Sequence, residues 1–269
     1  MVIDCLLVIP NFLSKINAII SASSRIVAMN YTRIYSGQNL RIGKVLILPH
    51  EPSNHLRQVL RKKEGSFIEL FDGEGASCIA EIISLEKKHL KVKVVEEKVF
   101  QERRGVKIFL GQSLIKLESF SFSIQKATEL GVLSISPLYT ERTIIKLKPN
   151  VTKSRKERWH SIATKACQQC GENWLPEINE IQRLEEWAQV INAKHKIVLY
   201  PKADIKLSSL RFDDSVAIAV GPEGDFTENE ITFLSEKGFQ PVKLGERILR
   251  ADTAVISVIS SIRTMCGEF

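Results

Sequence analysis

The feature that most constrains this chain is an alternation of short apolar segments with amphipathic segments between residues 106 and 265. Ser215–Val220 is rich in β-branched residues, is too short for a helix and ends at a Gly-Pro pair, which indicates a buried strand followed by a turn. Thr227 and Glu230 then have the spacing of a capping box, so a helix should begin there and end near Gly238. Because strands that alternate with helices form mostly parallel sheets covered on both faces, we predict an α/β domain.

A second strand-loop-helix unit follows the first. Residues 241–244 are its predicted strand, a loop that opens with glycine comes next, and Asp252 or Thr253 should cap a helix over residues 254–265. Two such units in series bring their loops to the same carboxyl edge of a parallel sheet, where open α/β sheets bind their ligands. We therefore predict one ligand site at this edge.

The two loops differ from the usual phosphate-binding sequences. The chain contains neither Gly-x-Gly-x-x-Gly after a strand nor Gly-x-x-x-x-Gly-Lys-Ser/Thr. A nucleoside without phosphates, held by backbone amides and carbonyls, fits the loops better, and S-adenosylmethionine (SAM) is the common cosubstrate of that kind. The alternative is that both loops are ordinary tight turns, since glycine after a strand is frequent in α/β domains.

Residues 31–98 have a different pattern, in which apolar and polar residues alternate over several short segments. One helix, with Ser53 as a candidate cap, interrupts these segments. The pattern predicts a small β-barrel with one helix, and the charged residues 96–105 are the predicted linker to the α/β part. The predicted strands cover residues 32–35, 44–48, 67–71, 78–83 and 90–95.

Positive charge is concentrated ahead of the two loops. The formal net charge is +7, and residues 142–158 hold seven Lys or Arg against one acid. An RNA backbone would suit this cluster, but a solvated helix face would have the same composition. The five cysteines are scattered, and the Cys167-x-x-Cys170 pair has no second pair to complete a zinc site, so we expect neither disulfides nor a metal and place the protein in a reducing cytoplasm.

The first 28 residues are apolar and carry only three charges. No uninterrupted apolar stretch reaches the length of a membrane span, and Asp4 stands where a secretory signal has basic residues. We therefore expect no membrane segment and no secretion. Met29 is the expected natural start, and residues 1–28 are expected to be an extension.

Several motifs carry a resemblance to a known family. They are residues 220–224 (Val-Gly-Pro-Glu-Gly), residues 244–254 (Leu-Gly-x-Arg-Ile-Leu-Arg-x-Asp-Thr-Ala), residues 124–132, and residues 55–61 together with Pro137, Glu141 and Arg142. With these motifs the chain resembles the bacterial 16S rRNA uracil-N3 methyltransferases, the RsmE family of the SPOUT superfamily. The resemblance covers residues 29–265.

The resemblance implies an architecture and an activity. It implies a PUA-like RNA-binding β-barrel over residues 29–98 and a SPOUT-type α/β domain over residues 106–269, with a C-terminal trefoil knot that holds SAM and with a homodimer as the active form. The implied reaction is methylation of uracil N3 in the 16S rRNA of the 30S subunit. Alternatives are a SPOUT enzyme for another base or for ribose, and a non-catalytic RNA-binding factor of ribosome assembly.

Candidate site residues follow from the motifs. Arg250 is expected to stabilise the developing uracil anion, and Asp252 and Glu223 are the candidate general bases. A salt bridge from Arg250 to one of these acids is the structural alternative. Predicted SAM-binding residues are Leu199, Val220, Gly221, Pro222, Glu223, Gly224, Leu244, Gly245, Ile248, Leu249, Thr253 and Ala254. Predicted RNA-binding residues are Arg33, Arg57, Arg61, Arg142, Lys146, Lys148 and Arg155.

The chain departs from the family pattern at three positions. Asp225 stands where a further glycine is usual, Asp252 replaces the usual glutamate, and Glu172 follows Gly171 where the family tends to have arginine. The first places a charge beside the loops, the second shortens a candidate base by one methylene, and the third removes a candidate RNA contact.

Overall fold

The computed structural model describes residues 31–86, 89–96, 99–147 and 149–269, with the side chains of residues 149 and 150 left out. The expectations for residues 1–28 and for Lys148 lie outside these residues and stay predictions. The strands of the described residues form two separate sheets.

The first sheet has six strands around one apolar core. Its order is β1-β3-β4-β5-β2, with β6 on β4; β1 and β3 are parallel and the other pairs antiparallel. Alternation sets the two faces: along β2, Leu46 and Leu48 are buried whereas Val45 and Ile47 are exposed. The strands are β1 (Arg33–Tyr35), β2 (Val45–Leu48), β3 (Phe67–Phe71), β4 (Ala76–Leu85), β5 (Leu90–Val94) and β6 (Val99–Phe100).

The helix in this region begins earlier than Ser53. Helix α1 (His50–Asn54) follows Pro49 and continues as a π-helical turn, His55–Val59. The Ser53 hydroxyl donates to the Leu48 and Pro49 carbonyls at 3.1 and 2.8 Å, so it bonds back along its own helix. The prediction of Ser53 as the cap is therefore wrong.

The second sheet is parallel throughout, in the order β10-β8-β7-β12-β11-β13 with β9 on β8. Its strands are β7 (Lys107–Ser113), β8 (Ser134–Tyr139), β9 (Glu177–Ile178), β10 (Gln182–Arg183), β11 (His195–Leu199), β12 (Ser215–Val220) and β13 (Gln240–Val242). Its helices are α2 (Leu117–Glu129), α3 (Pro149–Cys170), α4 (Leu184–Val190), α5 (Glu228–Glu236) and α6 (Ala251–Met265), and a 3₁₀ turn covers Leu207–Ser209.

Strand β12 shows how this sheet is covered on both faces. Val216, Ile218 and Val220 pack in a core with α2, α3 and α6, whereas Ala217 and Ala219 pack in a second core with α4 and α5. All six residues of the strand are buried. The continuous apolar run is thus the pattern of a strand with a helix layer on each side.

The two predicted helix starts of the C-terminal region differ in outcome. Thr227 caps α5, since its side chain accepts from the Glu230 amide at 3.2 Å and the Glu230 carboxylate accepts from the Thr227 amide at 2.8 Å. Helix α6 begins at Ala251 with Arg250 at the cap position, so the cap prediction for Asp252 or Thr253 is wrong. Asp252 lies in the first turn, where a carboxylate interacts favourably with the helix dipole.

No helix among the described residues is both long enough and apolar enough to span a bilayer. Within the same residues, no group of three or more His, Cys, Asp or Glu side chains is arranged to hold a metal ion.

Candidate functional site

Three neighbouring parallel strands carry the two glycine loops and a third loop to one edge. Strand β11 lies between β12 and β13, with Val198 paired to Ala219 and Leu199 paired to Val242. The segments after Leu199, Val220 and Val242 therefore leave the sheet side by side. This adjacency, which a pattern of residues alone does not determine, makes the two loops parts of one edge.

The loop after β12 is tightly turned. Gly221 and Pro222 are buried, the Asp225 amide donates to the Pro222 carbonyl at 2.9 Å, and Asp225 has a φ of +61°. Glycine adopts this left-handed conformation without cost, and Asp is among the few other residues that tolerate it. The Asp225 carboxylate accepts from the Phe226 amide at 2.8 Å, which helps to hold the turn.

Two contacts tie this loop to the neighbouring strand ends. The Glu223 carboxylate accepts from the Lys116 amide at 3.2 Å, at the start of α2, and Arg142 donates to the Gly224 carbonyl at 2.8 Å. Glu223 and Gly224 are otherwise exposed. Glu223 is therefore placed at the edge by its own loop and by the segment that follows β7.

The loop after β13 is anchored at its base and open beyond it. The Lys243 amide donates to the Ile205 carbonyl at 2.9 Å, and the Leu207 amide donates to the Lys243 carbonyl at 3.0 Å. Leu244 and Leu249 are half-buried, whereas Gly245 is exposed and Ile248 is 85% exposed. The loop thus presents backbone and one apolar side chain on the open side of the edge.

Two of the three predicted catalytic side chains, Arg250 and Asp252, lie at the start of α6, and the third, Glu223, lies in the loop after β12. Arg250 is exposed at its cap position, and among the described residues no carboxylate forms a salt bridge with it, so the predicted alternative of a pair with Glu223 or Asp252 is not found there. Asp252 accepts from the Thr253 amide at 2.7 Å and from the Thr253 hydroxyl at 3.3 Å. Ala254 follows in the first turn and is half-buried.

Two polar residues at this edge were missed by the motif reasoning. Gln112 and Ser113 end β7, Gln112 is paired in register with Val220, and both are completely buried. Of the described side chains, Gln112 Oε1 and Ser113 Oγ are among the few buried polar atoms without a hydrogen-bond partner. A Gln-Ser pair that ends an apolar strand at the carboxyl edge was the signal available in the sequence.

These observations fit a polar nucleoside ligand such as SAM. Buried polar atoms without partners are uncommon, and a ligand at the edge is one way to satisfy them. A side chain added at Gly245 would meet no heavy atom within 4 Å, so the backbone there is open to a ligand. Gly221 is different, because a Cβ there would lie 3.2 Å from Phe226 Cδ2 and 3.3 Å from Asp225 Oδ1.

A cavity of about 260 Å³ lies beside the loop after β12. It is lined by Arg142, Tyr200, Lys202, Asp225 and the first turn of α5. Burial raises the pKa of Asp225, while its bond from the Phe226 amide and the charges of Arg142 and Lys202 act in the opposite direction. The carboxyl group is thus partly shielded from water and faces two cations.

Two family models match the chain. One described as an RNA methyltransferase domain matches residues 102–263, and one described as an RNA methyltransferase PUA domain matches residues 51–95. The chain belongs to a family of RNA methyltransferases. The second sheet is its α/β methyltransferase fold, and the first sheet belongs to its PUA-like part.

Named relatives and solved structures agree with this assignment. The ribosomal RNA small subunit methyltransferase E of Buchnera aphidicola (Schizaphis graminum) is 32% identical over 238 residues, which are 88% of this chain and 97% of the relative. The Synechocystis protein of the same name is 30% identical, over 90% of this chain and 80% of the relative. This chain belongs to the RsmE family.

Two similar structures were solved with the cofactor in place. A ribosomal RNA small subunit methyltransferase E from Neisseria gonorrhoeae, bound to S-adenosyl methionine, is 33% identical and has a TM-score of 0.80 over 87% of this chain and 98% of its own. A Legionella pneumophila structure, described as a methyltransferase in complex with SAM, is 32% identical and has a TM-score of 0.84 over 88% and 98%.

The described basic residues that were predicted to contact RNA lie on several different elements. Arg142 lies at the edge with the loops, Lys146 and Arg61 are exposed, and Arg155 is half-buried on α3. Arg57 donates to Asn54 Oδ1 at 2.9 Å within the barrel region. Their contacts with RNA stay predictions.

Arg33 joins the two parts of the chain. Its guanidinium donates to Glu69 Oε1 at 2.5 Å, to the Glu172 carbonyl at 3.2 Å and to Asn173 Oδ1 at 2.6 Å, and its side chain is only 15% exposed. The Glu172 carboxylate accepts from the amides of Asn173 and Trp174 at 2.8 and 3.0 Å. Both residues therefore hold this junction, and a contact of Arg33 with RNA stays a prediction.

Proposed function

We propose that this protein transfers a methyl group from SAM to N3 of a uracil in the 16S rRNA of the small ribosomal subunit. The observation that carries the proposal is the convergence of residues 221–224 and 244–250 on one sheet edge in a chain of this family. Relatives named for the small-subunit rRNA, and similar structures with SAM bound, support the substrate class and the cofactor.

Backbone at the edge would hold the cofactor. The segments around Leu199, Gly221 and Leu244, together with Leu249 and Ala254, would contact its adenosine and methionine parts, with Gln112 as a further hydrogen-bonding partner. When bound, SAM supplies an electrophilic methyl group. The chain's task is then to align the uracil nitrogen with that group, because correct positioning removes much of the barrier.

Arg250 would stabilise the uracil anion, and one carboxylate would accept the N3 proton. N3 of uracil must lose its proton, and a fixed cation beside the resulting anion lowers the barrier. Arg250 is suited to this role because it is exposed at the edge and is not neutralised by a salt bridge within the described residues. Asp252, in the first turn of α6, and Glu223, in the loop after β12, would be the candidates to take the proton.

We propose the finer architecture on the same basis. Residues 29–98 would be the RNA-binding barrel, and residues 106–269 the catalytic domain. Pairing of Lys243 with the segment after β11 supports a knotted C-terminal region. The exposed Ile248 supports a homodimer that covers this loop. Free cysteines at 78, 167, 170 and 266 support a cytoplasmic location.

Methyl transfer from labelled SAM to undermethylated 30S subunits tests the proposal. Nucleoside analysis of the product should give N3-methyluridine. Another methylated nucleoside would show that the target is a different base or the ribose, and no label in any nucleoside, with SAM binding absent by calorimetry, would point to a non-catalytic RNA-binding protein. Light scattering of the full chain tests the dimer separately.

A further inference from the structure

The cavity beside the loop after β12 adjoins the proposed cofactor edge and shares Asp225 of that loop, and Tyr200 of the segment after β11, with it. It opens between the ends of β8, β11 and β12 and the first turn of α5. Asp225 connects the two regions, since a Cβ on Gly221 would lie 3.3 Å from the Asp225 carboxylate. A group held in this cavity would therefore be a neighbour of whatever occupies the edge.

The walls of the cavity offer three kinds of contact. Tyr200 supplies an aromatic ring, Arg142 and Lys202 supply positive charge, and Asp225 supplies a half-buried carboxylate. Aromatic side chains stack on unpaired RNA bases, and cations hold phosphates. Carboxylates accept hydrogen bonds and cannot donate them while ionised.

The cations are held at the wall of the cavity by protein contacts. Arg142 donates to the Gly224 carbonyl at 2.8 Å, which occupies one of the five N–H donors of its guanidinium. The neighbouring Glu141 amide donates to Glu230 Oε1 at 2.8 Å, which fastens this segment to α5. Lys202 lies 3.8 Å from the Glu228 carboxylate, in a contact that is exposed to water and weak.

Asp225 is the distinctive group. Its backbone has a φ of +61°, a conformation that glycine adopts most easily, yet the chain has a carboxylate there. One of its oxygens is occupied by the Phe226 amide, but a carboxylate oxygen accepts more than one hydrogen bond. The side chain thus keeps acceptor capacity and lines a cavity that also has aromatic and cationic residues in its wall.

We propose that this cavity binds the RNA nucleotide next to the methylated uridine, and that Asp225 selects a guanine there. The proposal rests on the proposed function. Among the four RNA bases, guanine alone presents two adjacent N–H donors, at N1 and N2, which match a single carboxylate. Its ring would stack on Tyr200, and its phosphate would lie against Arg142 and Lys202. Asp225 is thus a residue that determines specificity and takes no part in methyl transfer.

Binding of mononucleotides is the direct test. Saturation-transfer NMR and competition between GMP, CMP, AMP and UMP should show GMP binding about tenfold more tightly than AMP or UMP to the full chain, as expected for a paired contact to a base edge. Asp225→Asn, which has the same shape and no charge, should lose this preference. Glu236→Gln removes a carboxylate from the last turn of α5, outside the cavity, and should keep it.

The second measurement uses the 30S subunit. Two undermethylated subunits that differ only in having guanine or adenine beside the target uridine should be compared. The wild-type protein should methylate the adenine subunit with a kcat/KM about tenfold lower, and Asp225→Asn should show little difference between the two. SAM binding by calorimetry should be equal for both proteins, which separates base selection from damage to the cofactor site.

The outcomes distinguish the two proposals. If the wild-type protein methylates 30S subunits but binds the four mononucleotides equally, or if Asp225→Asn keeps the preference for guanine, the cavity is not a guanine site and the inference is overturned while the function stands. If the wild-type protein neither binds SAM nor labels 30S subunits, the proposed function fails and the inference falls with it.

Discussion

Gly221 and Gly245 open the two loops at the sheet edge, and alanine at each should have opposite effects. A Cβ at Gly221 would lie 3.2 Å from Phe226 Cδ2, and the Phe226 side chain is buried. Overpacking of this kind costs about 1–3 kcal/mol of stability. A Cβ at Gly245 would meet no heavy atom within 4 Å, and its φ is outside the left-handed region. Gly245→Ala should therefore change the free energy of unfolding by less than about 0.5 kcal/mol.

Gly245→Ala should reduce the affinity for SAM although it hardly changes the free energy of unfolding. The open space at Gly245 is where the proposed cofactor lies against the loop, so a methyl group there competes with the ligand. We expect Gly245→Ala to weaken SAM binding by roughly tenfold, which corresponds to about 1.4 kcal/mol. Because this variant remains as stable as the wild type, the loss cannot be attributed to unfolding.

Urea denaturation and calorimetry measure the two quantities on the same samples. Gly221→Ala is the matched variant, with the same substitution in the other loop. The reasoning would be refuted by Gly245→Ala binding SAM with wild-type affinity, because the open backbone would then not face the cofactor. It would also be refuted by a loss of more than about 1 kcal/mol of stability in Gly245→Ala, since the space around this residue would then be occupied.

Three further predictions concern catalysis, packing and pH. Arg250→Ala should lower kcat by about 100-fold with SAM affinity unchanged, as is typical when a group that stabilises developing charge is removed; unchanged turnover in the 30S assay would remove Arg250 from the mechanism. Gly111→Ala should destabilise the fold by about 3 kcal/mol, because its Cβ would lie 2.6 Å from Trp187 Cη2 on a buried strand; a melting temperature equal to that of the wild type would contradict this packing. Burial raises the pKa of Asp225 above its unfolded value of 3.8, so its protonation favours folding below that value and this contribution is lost as pH rises through the folded pKa. In urea titrations, Asp225→Asn should therefore have a larger free energy of unfolding than the wild type at pH 7, and this difference should become smaller towards pH 4. A difference that grows on acidification would show that folding lowers the pKa of Asp225.

Local signals in the sequence predicted much of the fold. The apolar, β-branched run gives β12 (Ser215–Val220) with the predicted bounds, and the Thr-x-x-Glu spacing gives the capping box of α5. These signals work because strand burial and capping depend on residues close together in the chain. The caps predicted at Ser53 and at Asp252 or Thr253 were wrong because these helices start after Pro49 and Arg250 with no side-chain cap, so a nearby polar residue does not by itself mark a helix start.

The site was predicted less completely than the fold. The two glycine loops were found from their motifs, but Gln112 was missed because its significance comes from burial without a partner, which no spacing reveals. The junction held by Arg33 was not predicted, because a sequence pattern cannot show that Glu69, Glu172 and Asn173, which are far from it in the chain, accept its hydrogen bonds.

The sequence by itself determined the order of strands and helices, the division into a strand-rich part and an α/β part, and the family. Only the tertiary structure decided that β11 lies between β12 and β13, which sets how far apart the two predicted loops lie along the edge, and that Asp225 lies in a cavity with Tyr200 and Arg142. The physical reason is the sequence separation of the interacting residues. Periodicity and capping involve residues a few positions apart, whereas strand neighbours and cavities depend on contacts between distant segments, and the packing of the whole core determines which segments pair.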